Sequence, residues 1–244
     1  MVRVNSCVIG MGEVGSAIKE VLTEICKDIH GVDLNTEITF DECEYLNICI
    51  PYSDSFVDIV NNYVDKFKPS LTIIHSTVPV KTTRKIKGLA VNSPVRGKHP
   101  FLADGLRKYI KYVGYNDEQS YLLAKGYLEK AFTCNFIKNS DVTEFMKLAS
   151  LAFYLVYLAV ADEVNELSKK LGIPFGEVKG WIMTQNAEID KFYDNMRWPI
   201  ISPPEGKPGG HCVMPVTKLF FGECLNAGIS AKVIQEALAR YSGI

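Results

Sequence analysis

The 244-residue sequence predicts an α/β fold: a doubly wound parallel sheet followed by an all-α region. Three observations carry that prediction. Short apolar runs alternate with helical periodicity up to about residue 138. A glycine-rich turn stands between the first run and the first helical stretch. The second half opens on an uncharged stretch, Leu148 to Ala161, and holds helical patterns throughout. Hydrophobic residues make up 47% and charged residues 23%, a balance that supports a packed core.

Val4 to Ile9 reads as a short buried strand, and Gly10-Met11-Gly12-Glu13-Val14-Gly15 follows at once. Ala17, Ile18, Val21, Leu22 and Ile25 then recur at helical spacing. In a strand–GxGxxG–helix unit each glycine has a separate task. Gly10 allows the tight turn, Gly12 lets a pyrophosphate approach, and Gly15 lets helix pack on strand. The helix N-terminus offers N–H groups and a positive dipole end to the phosphates. A second strand, Ile29 to Val32, ends in Asp33, at the distance where an acid binds a ribose 2′-hydroxyl. An acid there repels a 2′-phosphate, so the expected cofactor is NAD rather than NADP. Residues 1–138 therefore read as an NAD-binding Rossmann domain.

The alternation continues through strands at Leu46 to Ile50, Leu71 to His75, Leu89 to Ser93, Tyr109 to Gly114 and Thr133 to Ile137. Pro51 stops the first of these, and a helix runs on to about Phe67. Ser76-Thr77-Val78-Pro79 turns into a basic helix, with Lys81 to Lys87 as its solvated face. Pro51, Thr77 and Pro94 fall just past strand ends and are expected to line one cleft. The cofactor set is thus Gly10, Met11, Gly12, Glu13, Val14, Gly15, Asp33, Pro51 and Thr77.

Residues 139–244 are expected to form a helical dimerisation and substrate domain. Asp141 and Glu144 resemble a capping box at the start of a helix over 141–171, stopped by Gly172 and Pro174. Such a helix is roughly 45 Å long. From Leu148 to Ala161 it is apolar on every side, which predicts burial all round and a homodimer built on helix 141–171. Helices over 174–185 and 187–196, a proline-rich loop over 198–208, the Gly209-Gly210-His211-Cys212 turn, and helices over 217–227 and 231–240 complete the chain.

A net charge of −1 gives no electrostatic case for nucleic acid or an anionic membrane surface. Seven scattered cysteines contain no CxxC pair, which fits a reducing cytoplasm and speaks against a disulfide framework. The N-terminus runs straight into a strand, so no signal peptide is expected, and the uncharged stretch is short for a membrane span. His75, His99 and His211 could meet Cys212 as metal ligands, but no short-range ligand pair supports that, and no metal is expected.

The order GMGEVG, a strand ending in Asp33, ICIP, STVPV, Glu-x-x-Lys on a long helix and GGHC resembles the UDP-glucose/GDP-mannose dehydrogenase family, within the 6-phosphogluconate dehydrogenase-like group. The resemblance spans nearly the whole chain. It implies an NAD-dependent enzyme in which a cysteine attacks an aldehyde formed by a first hydride transfer. The thiohemiacetal loses a second hydride, and the thioester is hydrolysed to an acid. It maps that cysteine to Cys212, the proton-managing or oxyanion-stabilising lysine to Lys147, and the threonine beside the nicotinamide to Thr77. Three usually polar positions are aliphatic here: Leu151, Val216 and Val95. The family's further C-terminal domain has no counterpart before Ile244, so the chain reads as a truncated and divergent relative.

Alternatives stay open at each residue. Cys212 is a nucleophile or a buried thiol on a tight turn. Lys147 faces the cleft or pairs with Glu144 on the surface. Arg96, Lys98 and His99 form an anion clamp like the "HP" loop of prephenate dehydrogenases, or a solvated basic loop. Gly210 and His211 would join them in binding substrate. The expected function is oxidation of an alcohol of a small anionic substrate, a sugar nucleotide or a hydroxy acid. The alternatives are a non-catalytic NAD-binding regulatory or partner protein, and a prephenate dehydrogenase-like enzyme.

Overall fold

The computed structural model describes residues 3–97, 100–192, 197–204, 208 and 212–242. The chain divides into two compact units, Met1–Lys147 and Leu148–Ile244.

The first unit is a seven-stranded sheet. Its strands are β1 (Arg3–Ile9), β2 (Ile29–Val32), β3 (Glu42–Ile48), β4 (Leu71–Ile74), β5 (Ala90–Asn92), β6 (Lys111–Tyr115) and β7 (Cys134–Lys138), and their spatial order is β2-β1-β3-β4-β5-β6-β7. The order reverses between β1 and β3, so a crevice opens at their carboxyl ends. Each of the seven expected strands is present within a few residues. Helices α1 (Glu13–Thr23), α3 (Leu102–Lys108) and α4 (Glu118–Leu128) cover one face. There Ile18, Leu22, Leu106 and Leu128 meet Val8, Ile73 and Val113. Helix α2 (Phe56–Phe67) covers the other face, where Phe56, Val60 and Phe67 pack on Cys7, Leu46, Ile48 and Ile74.

Two expectations are corrected here. The sheet is not wholly parallel, because β5 and β6 pair antiparallel and β6 with β7 parallel. The segment after β5 passes through α3, which Arg107 ties to Glu20 and Glu24 of α1, and returns to the carboxyl edge of the sheet, where Lys111 Nζ donates to Ser93 O and Gly114 pairs with Asn92. Strand β6 therefore starts at that edge and runs back. The basic helix after Pro79 is only a 3₁₀ turn, Thr83–Lys85; Lys81, Arg84, Lys85 and Lys87 are exposed as expected, while Thr82, Thr83 and Ile86 between them are buried.

Helix α5 (Ser140–Leu171) starts in the first unit and ends in the second. Its first turn presses on β6 at Gly114, where a Cβ would stand 2.3 Å from Thr143 Oγ1 and 2.7 Å from Ser140 Cα. Asn139 caps it, its Oδ1 accepting from the Asp141 N–H at 2.9 Å. The expected capping box does not form, because Glu144 is directed to a different segment.

In the second unit α5 is joined by α6 (Phe175–Phe192), α7 (Val213–Asn226) and α8 (Lys232–Ser242). A single α6 replaces the first of the two expected short helices and the start of the second, since no glycine or proline interrupts 185–187. Leu155 and Ala159 pack with Val213, Ala237, Leu238 and Tyr241. Arg240 ties α8 to Asp162 and Glu166 of α5. The uncharged stretch of α5 is not buried on every side of the single chain. Leu148, Ala152, Leu155 and Leu158 are buried, whereas Phe153 is 62% exposed and Val160 55%. Length and composition would let α5 cross a membrane, with a mean hydropathy of 1.5 over 18 residues of which 39% are buried, a character that core helices share.

Candidate active site

The glycine turn is shaped by contacts that only glycine allows at two positions. Gly10 has φ +87°, and a Cβ there would lie 2.8 Å from Ile50 Cγ2 and 3.0 Å from the Cys49 carbonyl oxygen. A Cβ on Gly15 would lie 1.7 Å from Gly10 O. Gly12, the first residue before α1, has nothing within 4 Å of such a Cβ. The protein's own packing does not require glycine there, while a pyrophosphate approaching the backbone does. The residues present therefore fit a dinucleotide. Met11, Glu13 and Val14 complete the turn and the opening of α1, the end of a helix that suits an anion.

Asp33 is tied directly to this turn. Its Oδ2 accepts from Met11 N–H at 2.7 Å and its Oδ1 from Leu34 N–H at 2.8 Å. These bonds, Leu34 first and Met11 second, hold the carboxyl below the usual carboxylate range. Thr36 Oγ1 accepts from Asp33 N–H at 2.9 Å, so the β2 end and the glycine turn form one hydrogen-bonded assembly.

Pro51 and Thr77 stand beside it. The Cys49 N–H donates to Ile9 O, extending the ladder past β3, and Ser76 Oγ donates to Ile50 O at 2.6 Å. Gly10, Pro51 and Thr77 are thus gathered at the carboxyl ends of β1, β3 and β4, with Pro51 exposed and Thr77 half-buried.

The loop after β5 is held by three nitrogenous side chains. His75 Nδ1 donates to Ser93 O at 3.1 Å, Lys111 Nζ to the same oxygen at 3.0 Å, and Lys147 Nζ to Val95 O at 2.9 Å. Burial pushes Lys111 down to about 8, opposed by Cys134 and Cys49 and assisted by Lys147. Burial and then the Lys111 charge hold His75 well below its ordinary value. A polar line runs on beneath the strands. His75 Nε2 meets Asn47 Oδ1 at 3.0 Å, Asn47 Nδ2 donates to Ser6 Oγ at 2.9 Å, and Ser6 Oγ meets Tyr127 OH at 2.7 Å. Arg96 is exposed, its guanidinium carbon 5.7 Å from the ring centres of both Tyr109 and Tyr112. That packing leaves the planar edge able to meet a carboxylate or phosphate.

Lys147 is half-buried, and its ammonium is directed at the β5 loop rather than at Glu144, which corrects the surface-pair alternative. Val95, one of the three aliphatic departures, belongs to the core with Leu102 and Leu106. In the second unit Val216 is buried and Leu151 half-buried, the Leu151 carbonyl accepting from Thr217 Oγ1 at 3.4 Å. Cys212 is the residue before α7, exposed, and its side chain caps nothing. This corrects the buried-thiol alternative. Lys98, His99, Gly210 and His211 lie outside the described residues. Among the described residues no group of three or more side chains is arranged to hold a metal ion.

Sequence reasoning missed Asn47, Lys111 and the role of Glu144. A lysine within the apolar alternation of β6 and a glutamate three residues before Lys147 on a largely apolar helix were the available signals.

The fold is Rossmann-like, and several solved dehydrogenases share it. Solved structures with this fold include a UDP-D-ManNAc dehydrogenase from Pyrococcus horikoshii, with a TM-score of 0.77 and 18% identity, over 98% of this chain and 68% of that one. A 3-hydroxyisobutyrate dehydrogenase from Mycobacterium tuberculosis, studied with L-serine, has a TM-score of 0.75 and 18% identity, over 100% of this chain and 94% of that one. A UDP-glucose dehydrogenase from Pyrobaculum islandicum has a TM-score of 0.75 and 16% identity, over 99% of this chain and 68% of that one. No protein-family model and no curated protein sequence matches the chain.

Proposed function

We propose that the chain is an NAD-dependent dehydrogenase that oxidises an alcohol of a small anionic substrate, a sugar nucleotide or a hydroxy acid. The open space over Gly12, beside an Asp33 bonded to the same turn, carries the reading. NAD would lie across Gly10 to Gly15, with Asp33 on its ribose and Pro51 and Thr77 toward its nicotinamide end. When bound, the cofactor supplies the hydride acceptor. Arg96, with Lys98 and His99, would hold the anionic group. Lys147 would manage the alcohol proton, and Cys212, with Gly210 and His211, would serve a thioester route where the substrate goes on to an acid. The similarity to sugar-nucleotide and hydroxy-acid dehydrogenases supports the substrate class. The exposed apolar residues of α5 support a homodimer, and the reduced cysteines fit a cytoplasmic setting.

Incubation with NAD and a panel of UDP-sugars and hydroxy acids, followed by NADH absorbance, tests the reading. Turnover that persists in Cys212→Ala would leave a simple two-electron oxidation and remove the thioester route. A second reading, a non-catalytic NAD-binding protein, is favoured by Lys147 being engaged with Val95 O and by the aliphatic Leu151 and Val216. Tight NAD binding without NADH from any substrate would select it.

A further inference from the structure

The segment that carries Thr77 is anchored at two points. At its front, Ser76 Oγ donates to Ile48 O and Ile50 O. At its rear, Glu144 reaches out of α5 and takes three donors from one turn. Its Oε2 accepts from Lys81 N–H at 2.6 Å, and its Oε1 accepts from Thr83 N–H at 2.7 Å and Thr83 Oγ1 at 2.6 Å. The carboxylate is 1% exposed. Between these anchors the chain adopts a conformation it would not choose alone: Lys81 sits at φ +70°, the left-handed region that disfavours a lysine. The Lys81 N–H that this twist presents is the one Glu144 accepts. Thr82 Oγ1 closes the turn on Pro79 O at 2.7 Å.

We infer that ionised Glu144 is the positioning residue of the Thr77 segment, holding the turn 79–83 in the shape that sets Thr77 at the end of β4. For the cofactor this rests on the NAD reading above; for the turn it stands on the geometry alone.

All three partners of Glu144 donate, and a carboxylate accepts from all of them with no hydrogen of its own in the way. While the carboxyl stays buried, a proton on either oxygen competes with these donors, so the clamp is tighter in the charged state and the turn loosens around Glu144 when a proton is taken up. Burial pushes Glu144 up to about 7 against the pull of its three donors, and Asp141 on its own helix raises it further. The other nearby charges are engaged elsewhere. Arg84, from the 3₁₀ turn, bonds Asp141 and Asn139, and the Lys147 ammonium, one helical turn on, bonds Val95 O. The clamp is therefore set to change state near neutral pH.

Amide hydrogen exchange on the full chain, corrected for intrinsic rates, reads the clamp without any ligand. Protection of the Lys81 and Thr83 amides should rise about tenfold or more between pH 6 and 8 in the wild type, the scale of a lost bond to a charged group. The step should vanish in Glu144→Gln, whose amide presents a donor to one of the N–H groups. In Thr83→Ala, which removes one stabilising donor, the step should move to higher pH. NAD and ADP binding form the second arm, since ADP reaches the glycine turn and Asp33 but not the nicotinamide end. Glu144→Gln should weaken NAD and abolish its pH dependence while leaving ADP unchanged. Amide protection without a pH step in the wild type overturns the inference, as does equal weakening of ADP and NAD. A clear amide step in a protein that binds neither nucleotide supports the clamp and removes the NAD reading.

Discussion

At Glu144 two requirements pull in opposite directions. The turn it holds needs the charge, whereas its burial disfavours the charge and raises its pKa from 4.5 to about 7. A carboxyl with a raised folded pKa stabilises the fold below its unfolded value, and that contribution is lost as pH climbs through the folded value. The wild type should thus lose stability relative to Glu144→Gln between about pH 4.5 and 7, by up to about 3 kcal/mol. Urea denaturation of both proteins at pH 4.5, 6 and 8 checks this; a constant difference would refute it. His75 acts in the opposite sense. Its depressed pKa gives stability that is present above about 6.5 and lost as pH falls. Asp33 belongs to the same scale. Asp33→Asn keeps an acceptor for Met11 N–H but removes the charge, so NAD binding should weaken about tenfold and the gap between NAD and NADP should narrow, read by calorimetry.

Among the elements, α5 does most to organise the first unit. Its opening turns lie on β6 at Gly114, clamp the Thr77 turn through Glu144, and carry Lys147 to the loop after β5. Gly114→Ala should therefore cost about 1–3 kcal/mol, because the new methyl meets Thr143 and the Ser140 backbone in a packed site. Gly126→Ala in α4, where a Cβ meets nothing within 4 Å, should instead gain up to about 1 kcal/mol. Thermal melts of the two variants separate a packing effect from helix propensity. Further along, Phe153, Tyr157 and Val160 form an exposed apolar stripe. If this stripe is the proposed dimer interface, Phe153→Asp should yield a monomer by light scattering while the circular dichroism spectrum is kept. Helical periodicity showed that this stretch was apolar all round. It could not show which side the chain itself would cover, because that depends on where α7 and α8 return.

For the whole molecule, the compact first unit ends at Lys147, inside a helix rather than in a linker. A fragment of residues 1–138 lacks Ser140, Thr143 and Glu144, and so leaves Asn116, Asn92 and the Thr83 turn without their partners. A fragment of residues 1–150 keeps them and should melt at a higher temperature and bind NAD better. Equal behaviour of the two would show that the start of α5 adds nothing to the first unit. By itself the sequence determined the seven strands, the glycine turn with its Asp33, and the helical second half. Each of these is written in local spacing: two-residue alternation, 3.6-residue periodicity and the placement of glycine. Only the tertiary structure decided that β6 runs against β5, and that Lys81 to Lys87 form a clamped turn rather than a helix. It alone placed Glu144, His75, Lys111 and Lys147 around the Thr77 and Ser93 segments. These outcomes rest on hydrogen bonds between residues 18 to 63 positions apart, and local patterning does not record such pairings.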